Sequence, residues 1–132
     1  MKKGYHANIE QLTKDNADFR RVLYTGAHMQ LVLMTLQPAE EIGLEVHEEN
    51  DQFFRFDSGL GTVLVGETEY MVGDGDAVIV PAGTQHNVIN TGTEPLTLYT
   101  IYSPAHHKDG IVRSTKEEAI ANEEDFDGQT TE

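Results

Sequence analysis

The 132 residues include 23 acidic and 9 basic side chains, which gives a formal net charge of −14 at pH 7. Nucleic acid and anionic membranes would repel so acidic a surface, so neither is expected as a partner. Cysteine is absent, which excludes disulfides and thiolate ligands. The length fits one domain of ordinary size, covering residues 1–132.

Neither a signal peptide nor a membrane-spanning segment is expected from the apolar pattern. Lys2 and Lys3 resemble the start of a signal peptide, but no apolar stretch follows them. The longest apolar run, Leu31 to Met34, is far too short to span a membrane. A cytoplasmic location is therefore expected.

Strands dominate the predicted secondary structure. Short runs rich in β-branched and aromatic residues are separated by Gly, Pro and Asp, a pattern typical of an all-β fold. The predicted strands are Phe19–Thr25, His28–Leu36, Glu41–His47, Gln52–Asp57, Thr62–Val65, Thr68–Val72, Asp76–Val80, a strand that begins near His86, and Leu96–Tyr102.

Helices are expected only near the ends. Ile9 to Lys14 favours a helical turn, and Ser114 with Glu117 forms a Ser-x-x-Glu capping box, which predicts a short helix to about Asn122. The expected parts of the domain are a barrel core at about 19–103 and a C-terminal helix with an acidic tail at about 114–132.

The segment that ends near His86 carries the clearest local signal. The apolar run Ala77 to Val80 is bounded by turn residues, which predicts a buried strand. Pro81 lacks an N–H for the ladder and Gly83 tolerates a positive φ, so the chain is expected to turn there and to begin a new strand near His86.

These residues also form a recognisable motif. Gly75, Pro81, Gly83, His86 and Asn90 follow the spacing Gly-x5-Pro-x-Gly-x2-His-x3-Asn. This spacing resembles the second signature of the cupin superfamily at every position.

The first cupin signature is kept only in part. His47 stands at the second histidine of that motif, Gln52 stands at its glutamate, and Gly59 follows seven residues later. Glu45 replaces the first histidine and Ala39 replaces the initial glycine.

The resemblance implies a double-stranded β-helix, the cupin barrel, similar to small bacterial cupins of the mannose-6-phosphate isomerase-like group. It also implies one divalent metal in the barrel mouth. Imidazole, carboxylate and amide donors suit Mn, Fe, Co, Ni or Zn. The implied metal ligands are Glu45, His47, Gln52 and His86.

The residues themselves leave other interpretations open. His47 lies among acidic residues and could belong to a solvated loop. Glu45 could hydrogen-bond a water or point outward, and Gln52 is equally open. His106 and His107 are expected at the surface, because adjacent strand residues face opposite ways and a loop is predicted there.

The expected function is Lewis-acid isomerisation or a related proton transfer on a small sugar or sugar acid. No catalytic residue can be assigned. The alternatives are a non-catalytic module that binds a small ligand or metal, a barrel without any ligand, and a metal-dependent oxygenase. Two histidines with one carboxylate resemble the facial triad of iron oxygenases.

Two further expectations concern the surroundings of the site. Alternation along the strands would make Phe54, Phe56 and Val88 line the pocket. Phe53 faces the opposite side, and its apolar ring, together with the frequency of dimers among small cupins, predicts a homodimer.

Overall fold

The computed structural model describes residues 1–132 and contains two antiparallel β-sheets with a short helix near each end. The helices are α1 (Ile9–Asp15) and α2 (Lys116–Ala121). The strands are β1 (Arg20–Thr25), β2 (Gln30–Leu36), β3 (Asp51–Ser58), β4 (Gly61–Val65), β5 (Thr68–Val72), β6 (Ala77–Val80), β7 (His86–Asn90), β8 (Leu96–Ser103) and β9 (Val112–Arg113). Neither helix is long and apolar enough to cross a membrane.

The sheets differ in size and enclose one apolar core. The large sheet has the strand order β6-β3-β8-β2-β1-β9, and the small sheet has the order β5-β4-β7. Phe54 and Phe56 from β3 meet Val63 from β4 and Val88 from β7, and all four are fully buried. Burying each such side chain stabilises the fold by about 1.5–3 kcal/mol. The all-β fold class is therefore confirmed.

The glycine of the first motif is required by close packing. Gly59 has a φ of 88°, and a Cβ at this position would lie 2.5 Å from the carbonyl oxygen of Pro95. Gly59 thus allows the turn before β4 to pass directly against the segment that enters β8.

The predicted strand Glu41–His47 is wrong. This segment makes only two isolated bridges, between Glu41 and Ile89 and between Glu45 and His86. Gly43, with a φ of 110°, interrupts the ladder. Its N–H binds the side-chain oxygen of Asn87 at 2.9 Å instead of a backbone carbonyl. The segment therefore follows β7 as an irregular loop.

The strand predicted before Pro81 is confirmed as β6, but the prediction that it is buried is wrong for one of its faces. β6 lies at the edge of the large sheet, where only one of its faces meets the core. Val78 and Val80 point inward, whereas Ile79 is 67% exposed. Buried and exposed side chains therefore alternate along β6, although all four residues are apolar.

Candidate metal centre

The strand β7 places His86 in the interior between the sheets. Its backbone pairs with Glu45 through two hydrogen bonds of 2.9 Å. Its Nδ1 lies 2.9 Å from the carbonyl oxygen of Thr84, in the turn that Pro81 and Gly83 define. Because a carbonyl only accepts, Nδ1 carries the proton and Nε2 keeps its lone pair. Burial lowers the pKa of His86, so the ring is held neutral, the form that binds metals.

Glu45 and His47 meet beside His86. Glu45 Oε2 lies 3.1 Å from His47 Nε2, and the two rings, His47 and His86, have centres 5.2 Å apart. Burial alone would raise the pKa of Glu45, but the adjacent His47 ring and the charge of Arg20 bring the pKa below its usual value. Glu45 is therefore an ionised carboxylate.

Glu45, His47, Gln52 and His86 are called the cluster below. Two buried side-chain atoms of the cluster make no hydrogen bond. They are His47 Nε2, despite its approach to Glu45, and the side-chain oxygen of Gln52. The amide nitrogen of Gln52 donates to the Thr100 hydroxyl at 3.0 Å, which fixes the orientation of the amide. Buried polar atoms without a partner are uncommon in folded proteins. Both atoms are suitable donors for a transition-metal ion.

As the side chains stand, no group of three or more His, Asp or Glu residues has a geometry that could hold a metal ion. The donor types and the two partnerless atoms fit a metal, but the side chains do not point to one common position. The ligand assignment of Glu45, His47, Gln52 and His86 therefore stays a prediction.

The predicted pocket-lining residues lie close under the cluster. The Phe54 ring is centred 6.2 Å from that of His86, and Phe56 stacks on Phe54 at 6.4 Å. Phe56 and Val88 are fully buried in the core. Their role as walls of a ligand pocket stays a prediction.

The expectation that His106 and His107 lie at the surface is wrong for His107 and incomplete for His106. His107 is 8% exposed, and burial lowers its pKa to about 2. His106 is partly buried, and its ring is centred 4.3 Å from that of His47 and 5.3 Å from that of Tyr102. Both histidines lie just after β8, which ends at Ser103.

The side chain of Gln30 holds this turn. Its oxygen accepts hydrogen bonds from the backbone N–H groups of His106 and His107, and its nitrogen donates to the carbonyl of His107 at 2.7 Å. Gln30 is fully buried at the start of β2. The contact joins residues 76 positions apart, so no local sequence pattern could have located it.

A small polar cavity adjoins the cluster. Its volume is about 90 Å³, and its lining consists of Arg20, Glu45, His106, His107, Glu123, Glu124 and Asp125. Arg20 Nε is buried without a hydrogen-bond partner, and the guanidinium lies 5.4 Å from the Phe19 ring centre. The cavity therefore offers one unpaired cation next to Glu45.

Two antiparallel sheets around one core, with Glu45, His47 and His86 brought together, agree with the cupin class that the motifs indicate. Residues 32–102, more than half of the chain, match the family described as "Cupin domain". The chain belongs to the cupin family, which confirms the resemblance seen in the motifs.

Individual relatives extend this result. The chain is 47% identical over 128 residues to YrkC of Bacillus subtilis, covering 92% of this chain and 69% of YrkC. The crystal structure of BH2720 from Bacillus halodurans is similar with a TM-score of 0.89 and 46% identity, covering 91% of this chain and 96% of that protein. A mannose-1-phosphate guanylyltransferase of Salmonella muenchen is 25% identical over 96 residues, or 72% of this chain but 20% of that enzyme. Membership of the mannose-6-phosphate isomerase-like group stays a prediction.

Proposed function

We propose that this cupin binds one divalent transition metal through Glu45, His47, Gln52 and His86, and uses it to isomerise or deprotonate a small sugar acid. The observation that carries the proposal is the buried, partnerless Nε2 of His47 beside Glu45 Oε2 at 3.1 Å. An imidazole nitrogen and a carboxylate are two of the donors that Mn, Fe, Co, Ni or Zn prefer.

Each residue has a distinct task in the proposed site. His86 presents Nε2 because Thr84 holds Nδ1, and Glu45 supplies the negative charge that offsets the cation. Gln52 adds a neutral oxygen whose direction Thr100 fixes. When bound, the metal polarises a carbonyl or hydroxyl group as a Lewis acid.

The preference for an acidic substrate rests on Arg20 alone, since the other charged side chains that line the small cavity, Glu45, Glu123, Glu124 and Asp125, are carboxylates. The Arg20 guanidinium lines the cavity that Glu45 also lines, and it takes part in none of the ion pairs of the structure. A guanidinium binds a carboxylate through two parallel hydrogen bonds. The similarity to a mannose-1-phosphate guanylyltransferase adds support for a sugar derivative.

Ligand titrations test this proposal with glucuronate and, as its neutral counterpart, glucose. We expect glucuronate to bind the Mn²⁺-loaded protein and glucose to bind much more weakly. Arg20→Gln should weaken glucuronate binding by at least about tenfold, because a charge-assisted hydrogen bond contributes about 1.5–3 kcal/mol. The metal content should stay unchanged.

The control variant is Arg21→Gln, since Arg21 is the next residue of β1 but is exposed and paired with Asp18 at 2.8 Å. Absence of metal binding in the parent protein would contradict the proposal. Exchange of substrate protons with D₂O, followed by NMR, reports catalysis. Glucuronate binding without exchange would indicate the non-catalytic module instead, and oxygen uptake would indicate an oxygenase.

We also propose a homodimer through the outer face of the large sheet near β6. In the strand register, Phe53 lies opposite Ile79 on one side and opposite Ile101 on the other, so the three side chains share a face. Ile79 is 67% exposed, and Met71 in the adjoining groove is 86% exposed. Clustered exposed apolar groups are typical of protein interfaces.

Light scattering at high protein concentration and moderate salt should give the dimer mass, since salt screens the repulsion between two acidic chains. Ile79→Asp should reduce the mass to that of the monomer. Ile120→Asp is the control, because Ile120 is similarly exposed at 62% but lies on α2. A monomer mass for the parent protein would contradict the dimer.

A further inference from the structure

The imidazole of His106 has no assigned role, although it lies against the proposed metal site. Its ring nitrogens make no hydrogen bond within the protein, whereas its backbone N–H binds Gln30. We propose that His106 is a further nitrogen ligand of the metal, bound from the segment that follows β8. This inference rests on the proposed metal site.

The ring separations fit a shared ion. Two imidazoles bound through nitrogen at about 2.1 Å have ring centres roughly 4.5–5.2 Å apart when the angle at the metal lies between right-angled and tetrahedral. The His47 ring is centred 5.2 Å from His86 and 4.3 Å from His106. His47 therefore has two neighbouring imidazoles, one at a ring separation within this range and one slightly below it.

The carboxylate of Glu45 links the two histidines. It contacts His47 Nε2 at 3.1 Å, and it lines the same small cavity as His106. Glu45 is thus next to both His47 and His106, so all three are candidates to hold one ion. A third nitrogen donor would also favour Zn²⁺, Ni²⁺ or Cu²⁺ over ions that prefer oxygen ligands.

The protein holds His106 in place. Gln30 fixes its backbone from the buried start of β2, and the Tyr102 ring stacks on it with an interplanar angle of 23°. Tyr102 is itself 3% exposed. A ligand held in this way loses little conformational entropy when the metal binds, which favours affinity.

The alternative role for His106 is packing on Tyr102. The variant His106→Phe distinguishes this packing role from the role of a metal ligand. A phenyl ring keeps the aromatic stack but has no nitrogen donor. The matched control is His28→Phe, since the His28 side chain is exposed and the residue contacts β8 through its backbone carbonyl, which accepts from the Ser103 hydroxyl at 2.9 Å. Thermal unfolding of the metal-free variants checks that the stack is preserved, and His106→Gln provides a second, smaller replacement.

Isothermal titration with Zn²⁺ and electron paramagnetic resonance of the Cu²⁺-loaded protein are the two readouts. We expect about one ion per chain in the parent, a loss of affinity of ten- to a hundredfold in both His106 variants, and one fewer coordinated nitrogen in the Cu²⁺ spectrum. His28→Phe should match the parent in both.

The outcomes distinguish the two proposals. If the parent and His106→Phe bind Zn²⁺ equally and show the same nitrogen count, His106 is not a ligand while the metal site itself stands. If the parent binds no ion, the proposed function fails and the His106 inference fails with it.

Discussion

Replacing His86 with Ala should remove nearly all bound divalent metal from the purified protein. His86 is 3% exposed, and its Nδ1 is committed to Thr84, so Nε2 is the donor aimed into the cluster. Loss of a direct ligand is expected to weaken metal binding by at least about a hundredfold, more than the 10- to 100-fold typical of residues that only support a ligand. Elemental analysis and metal titration measure the change.

The control for this variant is His28→Ala, which removes an exposed imidazole and should leave the metal content unchanged. The buried cavity left by His86→Ala is expected to reduce the free energy of unfolding by about 1–3 kcal/mol, so circular dichroism must first show that the variant is folded. Unaltered metal content in the folded variant would exclude His86 as a ligand.

The prediction of a strand that begins near His86 is confirmed, because the signals for this turn and strand are local. Pro81 ends β6, Gly83 adopts a φ of 80°, and the next strand begins at His86. Every conformational requirement of this turn lies within a few residues. Gly59 differs, because the contact that excludes a Cβ there is with the distant Pro95 carbonyl.

The rest of the site depends on contacts that no local pattern encodes. Glu45 is placed opposite His86 by an isolated bridge rather than by the predicted strand, because Gly43 interrupts the ladder. His106 and His107 turn inward because Gln30, distant in sequence, binds their backbone. The alternation rule failed for these two residues because it applies to strands, and β8 has already ended at Ser103.

The negative charge of the proposed site comes from Glu45, whereas Gln52 is neutral, and the surroundings of the two side chains explain this arrangement. Gln52 belongs to β3 and is 3% exposed, and its side-chain oxygen has no hydrogen-bond partner. A carboxylate at this position would be costly to bury without a cation. Glu45, by contrast, lines the polar cavity beside Arg20, where a charge is better tolerated.

Moving the carboxylate between these two positions should be measurable as a thermodynamic cycle. Glu45→Gln is expected to weaken divalent metal binding by several kcal/mol (~3), since a direct contact between an ion and a carboxylate in a partly desolvated site is a large contribution. Adding Gln52→Glu should recover much of that loss. The Thr100 hydroxyl, which now accepts from the Gln52 amide at 3.0 Å, can donate to the new carboxylate.

Metal titrations of the parent, each single variant and the double variant complete the cycle, with an expected coupling of at least about 1 kcal/mol in favour of the double variant. Gln52→Glu alone should unfold more easily without metal and gain more thermal stability from metal than the parent does. Glu41→Gln is the matched control, because Glu41 lies in the same loop but is exposed and binds Asn87. If Glu45→Gln binds metal as tightly as the parent, Glu45 lies outside the coordination sphere, and the histidines must hold the ion without a carboxylate.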